Sequence, residues 1–159
     1  MNLCDAVEVA HISPREIDRV VRAAVRYKRL NYLEARYFAQ VIDRMSPSAA
    51  VVDAADVIPS RFKAQIQEQM SCSCQIDARH FADRDFAVVS AASIIAKVER
   101  DEAVAALREV HGDFGSGYPS DHQTREFFLA WVGGGRPLPE FVRKSWRTWE
   151  NLEQTTLSG

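Results

Sequence analysis

The sequence contains few cysteines and no long apolar segment. Its three cysteines are Cys4, Cys72 and Cys74, and two cysteines separated by a single residue form a mutual disulfide poorly. A zinc site at Cys72 and Cys74 would need further ligands, which His80 alone does not supply, so buried or half-buried thiols are predicted. Without a spanning apolar run or a charged-then-apolar leader, we expect a cytoplasmic protein with no membrane attachment.

The sequence also lacks an excess of basic charge. It has 20 Lys and Arg against 22 Asp and Glu, for a formal net charge of -2. Any affinity for nucleic acid must therefore come from a local patch rather than from the whole surface. A hydrophobic content of 47% over 159 residues is enough for the core of one domain.

Apolar periodicity predicts an α/β protein with more helices than strands. The predicted strands cover residues 49–53 and 72–78, and the predicted helices cover about 14–27, 31–45, 59–70, 86–110, 121–132 and 139–152. Ser13 is predicted to cap the first helix, Asn31 the second and Asp121 or Ser120 the fifth. Two strands alone are a poor foundation for a layered domain, so part of the sheet is expected to be missing.

Two aspartates are candidates for metal binding. Asp53 ends the first predicted strand, and Asp83 stands just before the long fourth helix. Strand ends and helix beginnings meet at one rim of such folds, and carboxylate oxygens are the ligands that Mg²⁺ and Mn²⁺ prefer. Spacing alone leaves a structural alternative open, in which Asp53 begins a turn and Asp83 caps the helix.

Three segments together carry a family resemblance: residues 51–56, 81–97 and 115–121. They resemble the archaeal branch of ribonuclease HII, metal-dependent endonucleases with a ribonuclease H-like mixed sheet flanked by helices. The resemblance implies that Asp53 and Asp83 are catalytic metal ligands for Mg²⁺ or Mn²⁺. Asp56 and Asp85 lie nearby and are interpreted as solvated or supporting residues, although the sequence does not exclude them as ligands.

The resemblance also implies a set of substrate-binding residues. Tyr118, in the glycine-rich loop, would pack against the sugar beside a ribonucleotide at an RNA–DNA junction. Ser93 and Lys97 share a helix face and could hold phosphate oxygens, while Arg143 and Lys144 belong to a basic segment that could contact the nucleic-acid backbone. The alternatives remain a rigid loop with a half-buried ring at Tyr118, helix packing at the serines and a solvated charged face at residues 143–147.

The chain departs from the family at its beginning. Full-length members open with a strand that carries Gly-Ile-Asp-Glu-Ala-Gly-Arg-Gly, and no such stretch is present. We therefore expect an N-terminally truncated fold: residues 1–159 as a single partial ribonuclease H-like domain, with residues 112–159 as a helical, substrate-binding C-terminal region. Two aspartates alone carry little negative charge to offset the dehydration of paired ions.

The resemblance implies an activity for the complete enzyme. It would hydrolyse the RNA strand of RNA–DNA hybrids and cut 5′ of ribonucleotides embedded in duplex DNA, leaving 5′-phosphate and 3′-hydroxyl ends, in DNA replication and repair. The complete enzyme is expected to be a monomer, and this chain alone is expected to be inactive. The alternative function is a non-catalytic remnant that binds nucleic acid through Tyr118 and residues 143–147.

Overall fold

The structure is a computed structural model, and it describes residues 4–23 and 30–149. Residues 147–149 are helical, and the described residues before them form six helices and two strands. In chain order they are α1 (Pro14–Arg22), α2 (Leu30–Met45), β1 (Ala49–Asp53), α3 (Pro59–Gln69), β2 (Gln75–Arg79), α4 (Ala82–Asp85), α5 (Ala87–His111) and α6 (His122–Gly133).

The described residues divide into two compact units, each with its own hydrophobic core. The first unit contains residues 4–12, 23 and 30–96, and the second contains residues 13–22 and 97–149. Helix α5 is continuous and contributes residues to both units.

The first unit is built on a parallel pair of strands. β1 and β2 are joined through α3, and their register pairs Ala49 with Gln75 and Asp53 with Arg79. The connection needs a crossover helix because parallel strands cannot be joined by a tight turn. Its core takes side chains from α2, β1, α3 and the β2 region, namely Ala35, Ala39, Ile42, Val52, Phe62, Ile66, Cys74 and Ile76.

The strand predictions are confirmed in part. β1 covers residues 49–53 as predicted, because its apolar run has one buried and several half-buried positions. β2 begins at Gln75 rather than at residue 72. The backbone N–H groups of Ser71 and Cys72 donate to the Asp43 carboxylate at 2.8 and 2.9 Å, so this stretch is held by a side chain instead of by a strand ladder.

Asn31 does not cap the second helix. Helix α2 begins at Leu30, and the Asn31 side chain donates its amide hydrogen to Asp56 at 3.1 Å. The prediction of an Asn31 cap is therefore wrong. The Asn31 side chain, which the sequence pattern indicates as a local helix cap, instead donates to the Asp56 carboxylate 25 residues away.

The second unit has an aromatic core. Phe114, Phe128, Val132, Leu138, Val142 and Trp149 are buried together. The Asp121 cap is confirmed, since its side chain accepts a hydrogen bond from the N–H of Gln123 at the start of α6. Trp149 is 1% exposed and belongs to this core, whereas Trp146 is half-buried.

The predicted helix over residues 139–152 is wrong for residues 139–146, whereas residues 147–149 are helical as predicted. Residues 139–146 form turns closed by hydrogen bonds from Val142 N–H to Pro139 and from Trp146 N–H to Arg143. Residues 150–152 lie outside the described part of the chain. In the N-terminal region, α1 ends at Arg22, and residues 24–27 of the predicted first helix also lie outside it.

The predicted α/β class is confirmed, with a helix-rich arrangement around a small parallel sheet. Among the helices of the described residues, none combines the length and apolarity that crossing a bilayer requires.

Candidate functional site

Asp53 and the start of α4 meet at one end of the small sheet. Asp53 is the last residue of β1, and its Oδ1 accepts a hydrogen bond from the backbone N–H of Ala82 at 3.3 Å. Ala82 is fully buried and is the first residue of α4, so Asp83 follows directly on the next position. Asp53 and Asp83 are both half-buried. This hydrogen bond joins Asp53 to the residue that precedes Asp83, although the two aspartates are far apart in sequence. Metal binding by Asp53 and Asp83 stays a prediction.

The chain reaches this place through a tight turn after β2. Phe81 adopts a left-handed backbone conformation with φ of 59°, which is uncommon for a bulky residue. The His80 ring nitrogen Nε2 lies 3.1 Å from the carbonyl oxygen of Val57, which links this turn to the loop that follows β1. The turn ends in the single helical turn of α4, which closes with a hydrogen bond from Phe86 N–H to Ala82.

Asp56 is not solvated, and that part of the sequence interpretation is wrong. It is 3% exposed and accepts hydrogen bonds from Arg61, from the N–H of Ile58 at 2.8 Å and from Asn31. The Arg61 guanidinium, which donates through two nitrogens, holds the pKa of the Asp56 carboxyl well below its ordinary value, and the Ile58 and Asn31 bonds act in the same direction. With its oxygens so occupied, Asp56 braces the loop after β1.

Asp85 lies on α4 two residues beyond Asp83 and is exposed. Its charge helps raise the pKa of Arg79, whose largest partner is Asp77. Asp85 therefore stands on the solvent side of the short helix.

The donor chemistry at Asp53 and Asp83 suits a hard divalent ion, because Mg²⁺ is often bound by one or two carboxylates together with water and substrate phosphates. Within residues 4–23 and 30–149, no three or more His, Cys, Asp or Glu side chains converge as a metal-ligating group.

In the second unit, the Asp121 carboxylate holds the loop that carries Tyr118. It accepts hydrogen bonds from the Ser116 N–H at 2.7 Å, the Ser116 hydroxyl at 2.9 Å and the Gln123 N–H at 3.1 Å. These bonds, led by the Ser116 N–H, lower the pKa of Asp121 to about 2. Gly115 has φ of 73°, and a Cβ atom there would lie 2.4 Å from Asp121 Oδ2, so the loop requires glycine at this position.

Tyr118 is 49% exposed, and its ring lies beside one cation and a second ring. The Arg100 guanidinium is 4.1 Å from its centroid, and the Trp146 ring is 6.5 Å away at a tilt of 32°. The Arg143 guanidinium in turn lies 5.6 Å from the Trp146 ring. We call these four residues the aromatic–cation row.

Arg100 is a residue that the sequence interpretation missed. Its Nη2 donates to the Ser116 carbonyl at 2.6 Å, so it both covers the Tyr118 ring and holds the loop. A signal was present, because Arg100 follows Lys97 by three positions on α5 and extends the stripe formed by Ser93 and Lys97. Ser93 is half-buried and Lys97 is exposed, one helical turn apart.

The cationic segment, residues 143–147, is held through its main chain. The N–H groups of Lys144 and Ser145 donate to the Asp18 carboxylate at 2.9 Å each. Arg143 and Lys144 are half-buried and Arg147 is exposed. Asp18 is a second residue that local sequence patterns did not reveal, since it lies 126 positions before the first of these partners.

Comparisons with known proteins identify the family of the chain. The family profile described as Ribonuclease HII matches residues 1–149. The Ribonuclease HII of Archaeoglobus fulgidus is 42% identical over 150 residues, which cover 94% of this chain and 70% of that protein. The family expected from the sequence is thereby confirmed.

Two solved structures are also similar. The crystal structure of ribonuclease H2 from Pyrococcus horikoshii matches with a TM-score of 0.81 and 37% identity, over 93% of this chain and 68% of that one. The Archaeoglobus fulgidus ribonuclease HII, solved in a complex with PCNA, matches with a TM-score of 0.74 and 39% identity, over 86% and 64%. The chain therefore belongs to the ribonuclease HII family of ribonuclease H-type endonucleases.

Proposed function

We propose that this chain supplies the Asp53–Asp83 part of a metal-dependent site that cuts the RNA strand of RNA–DNA hybrids and cleaves 5′ of ribonucleotides in duplex DNA. The observation that carries the proposal is the hydrogen bond from Ala82 N–H to the Asp53 carboxylate, because it joins Asp53 to the residue that precedes Asp83. Both residues would hold Mg²⁺ or Mn²⁺, which would supply water activation and charge stabilisation at the scissile phosphodiester.

The chain's own residues have separate roles in this proposal. Asp53 is fixed by its N–H partner, so one carboxylate oxygen is oriented before any ion binds. Tyr118, which is about half exposed, would pack its ring against the sugar next to the ribonucleotide, with the Arg100 guanidinium beside that ring. Ser93, Lys97, Arg143 and Lys144 would contact phosphates, which fix the position of the duplex but read no sequence.

The isolated chain is proposed to be inactive or nearly so. Two carboxylates neutralise a pair of divalent ions poorly, and Mg²⁺ in proteins usually completes its coordination with further oxygen ligands. Residues 112–159 would serve as the substrate-binding region of the domain. The three free thiols suit a reducing compartment such as the cytoplasm, where the complete enzyme would work as a monomer.

Metal binding tests the site directly. Mn²⁺ affinity, measured by electron paramagnetic resonance of the free ion, should fall in Asp53→Asn and in Asp83→Asn. Asp85→Asn is the matched control, because it removes the same charge from the exposed side of α4. Equal losses in all three variants would show that only general negative charge attracts the ion, and the proposed ligands would be rejected.

Cleavage is tested in a chimera that joins the opening strands of the Archaeoglobus fulgidus relative to this chain. The chimera should cut a duplex with one embedded ribonucleotide, and Asp53→Asn or Asp83→Asn should lower that rate by more than about 100-fold, the upper range for residues that only support metal ligands. Cleavage by the purified chain alone with Mn²⁺ would refute the proposed inactivity.

A non-catalytic nucleic-acid-binding role is the second candidate. It is favoured by the aromatic–cation row, which is assembled entirely from residues of the second unit and needs neither aspartate. Binding of a hybrid duplex by the chain, together with no cleavage by the chimera, would support this role over the nuclease.

A further inference from the structure

We propose that Asp18 is a positioning residue for the cationic segment and sets the contact of that segment with nucleic-acid phosphates. This inference rests on the proposed function, since it assumes that residues 143–147 meet a phosphate backbone. Neither the family resemblance nor the sequence pattern assigned a role to Asp18.

Asp18 is a buried charge on an otherwise accessible helix. It is 8% exposed and is the buried residue of α1. Each of its carboxylate oxygens accepts one main-chain N–H: Oδ2 from Lys144 and Oδ1 from Ser145, both at 2.9 Å. Hydrogen bonds to an ionised group are among the stronger ones in proteins, and a buried carboxylate without them would be costly.

This pairing accompanies a break in helical hydrogen bonding at Lys144 and Ser145. In a continuous helix, the N–H groups of Lys144 and Ser145 would donate to main-chain carbonyls four residues earlier. Asp18 takes both N–H groups instead, and the flanking bonds close four-residue turns at Pro139–Val142 and Arg143–Trp146. The carboxylate therefore selects the main-chain conformation of the cationic segment.

The side chains of the segment take their directions from that conformation. Arg143 and Trp146 flank the two residues held by Asp18, and the Arg143 guanidinium lies 5.6 Å from the centroid of the Trp146 ring. Trp146 in turn lies against the Tyr118 ring. Fixing Lys144 and Ser145 thus orients Arg143 and Lys144 and also the ring that adjoins Tyr118.

The effect of removing the Asp18 charge on nucleic-acid binding has opposite signs for a positioning role and for a purely electrostatic one. Asp18 is an anion beside a cationic segment, so by charge alone its removal should strengthen binding to a polyanion. If Asp18 acts by positioning, removing its charge should weaken binding, because the cations are no longer aligned with the phosphates.

The test measures binding of a fluorescein-labelled RNA–DNA hybrid by fluorescence anisotropy across a series of salt concentrations. Asp18→Asn should weaken binding by roughly three- to tenfold. The slope of log affinity against log salt concentration should also become shallower, by about one for each phosphate that the segment no longer reaches. Glu140→Gln is the control, since Glu140 is in the same unit with a side chain 83% exposed, and it should leave affinity and slope within error or slightly strengthen binding.

A double variant tests whether Asp18 acts through the segment. Lys144→Ala should weaken binding by itself, and adding Asp18→Asn to it should cost less than in the wild-type background. Fully additive effects, or unchanged or tighter binding by Asp18→Asn, would overturn the inference while leaving the proposed function intact. No hybrid binding by the wild-type chain would overturn both.

If Asp18→Asn lacks a cooperative thermal transition and is therefore unfolded, amide hydrogen exchange in the wild-type chain tests the positioning role of Asp18 instead. The Lys144 and Ser145 amides should be protected in the free chain and remain protected in the hybrid complex. Exchange at the rate of unstructured peptide in the complex would overturn the positioning role.

Discussion

The buried Asp56 carboxylate accepts hydrogen bonds from two nitrogens of Arg61, and this pair closes the loop that leaves the end of β1. Because Asp53 ends that strand, the pair adjoins a candidate metal ligand in sequence. Asp56 stabilises this loop, because its carboxylate oxygens accept hydrogen bonds from Arg61, Ile58 and Asn31.

Replacing Asp56 should destabilise the first unit. Asp56→Ala leaves the Ile58 N–H and the Asn31 amide without their acceptor, and we expect a loss of about 1–3 kcal/mol in the free energy of unfolding. Urea denaturation followed by circular dichroism measures it. Asp85→Ala, at an exposed carboxylate of the same unit, should change the free energy by less than about 0.5 kcal/mol. Equal stability of the two variants would contradict the bracing role.

Gly115→Ala should disrupt the Tyr118 loop. The new Cβ would lie 2.4 Å from Asp121 Oδ2, at a φ of 73° that side chains rarely adopt. A loss of about 1–3 kcal/mol is expected, measured by thermal unfolding. Gly133→Ala is the matched control, because a Cβ there meets nothing within 4 Å, and it should be neutral or stabilising by up to about 1 kcal/mol. Equal effects of the two substitutions would contradict the requirement for glycine at 115.

The loop should loosen in acid. The pKa of Asp121 is lowered to about 2 in the folded chain, against about 3.9 for a free aspartate. Its contribution to stability is therefore fully present above about pH 4 and is lost as the pH falls through about 2. The amide resonance of Ser116, which donates to this carboxylate, should titrate over that window in nuclear magnetic resonance spectra.

Asp121→Asn provides the comparison for that titration. It removes the charge that the Ser116 N–H and hydroxyl recognise, so the acid transition of the Ser116 amide should disappear. A Ser116 titration that persists unchanged in the variant would assign the transition to another group.

The cysteines should differ in reactivity. Burial, followed by the neighbouring Asp43 carboxylate, raises the pKa of the Cys72 thiol, which lowers its thiolate fraction at neutral pH. Iodoacetamide should therefore label exposed Cys4 before Cys72, as followed by mass spectrometry. Asp43→Asn should speed labelling of Cys72, since it removes a nearby negative charge. Labelling of Cys72 as fast as Cys4 in the wild-type chain would contradict the prediction.

The sequence predicts correctly the elements whose signals are local. β1 is placed correctly because a continuous apolar run ending in a carboxylate is typical of a buried strand. The Asp121 cap is placed correctly because it depends only on the first turn of α6. The contact between Asp53 and the start of α4 is not a local signal, and metal binding by Asp53 and Asp83 stays a prediction.

The wrong predictions occur where a distant carboxylate binds a main-chain or side-chain group. Asn31 is predicted as a cap, but Asp56 binds its side chain. Residues 72–74 are predicted as strand, but Asp43 binds the adjoining N–H groups. Residues 139–146 are predicted as helix, but Asp18 binds two of their N–H groups. Periodicity describes one face of one element, so it does not reveal a partner many residues away.

The network around Asp121 has a consequence for what the Tyr118 ring is free to do. The loop already buries one aromatic side chain, Phe114, while an ionised carboxylate and a guanidinium hold the bend at Ser116. Tyr118 is therefore not needed to fill the aromatic core and is left about half exposed.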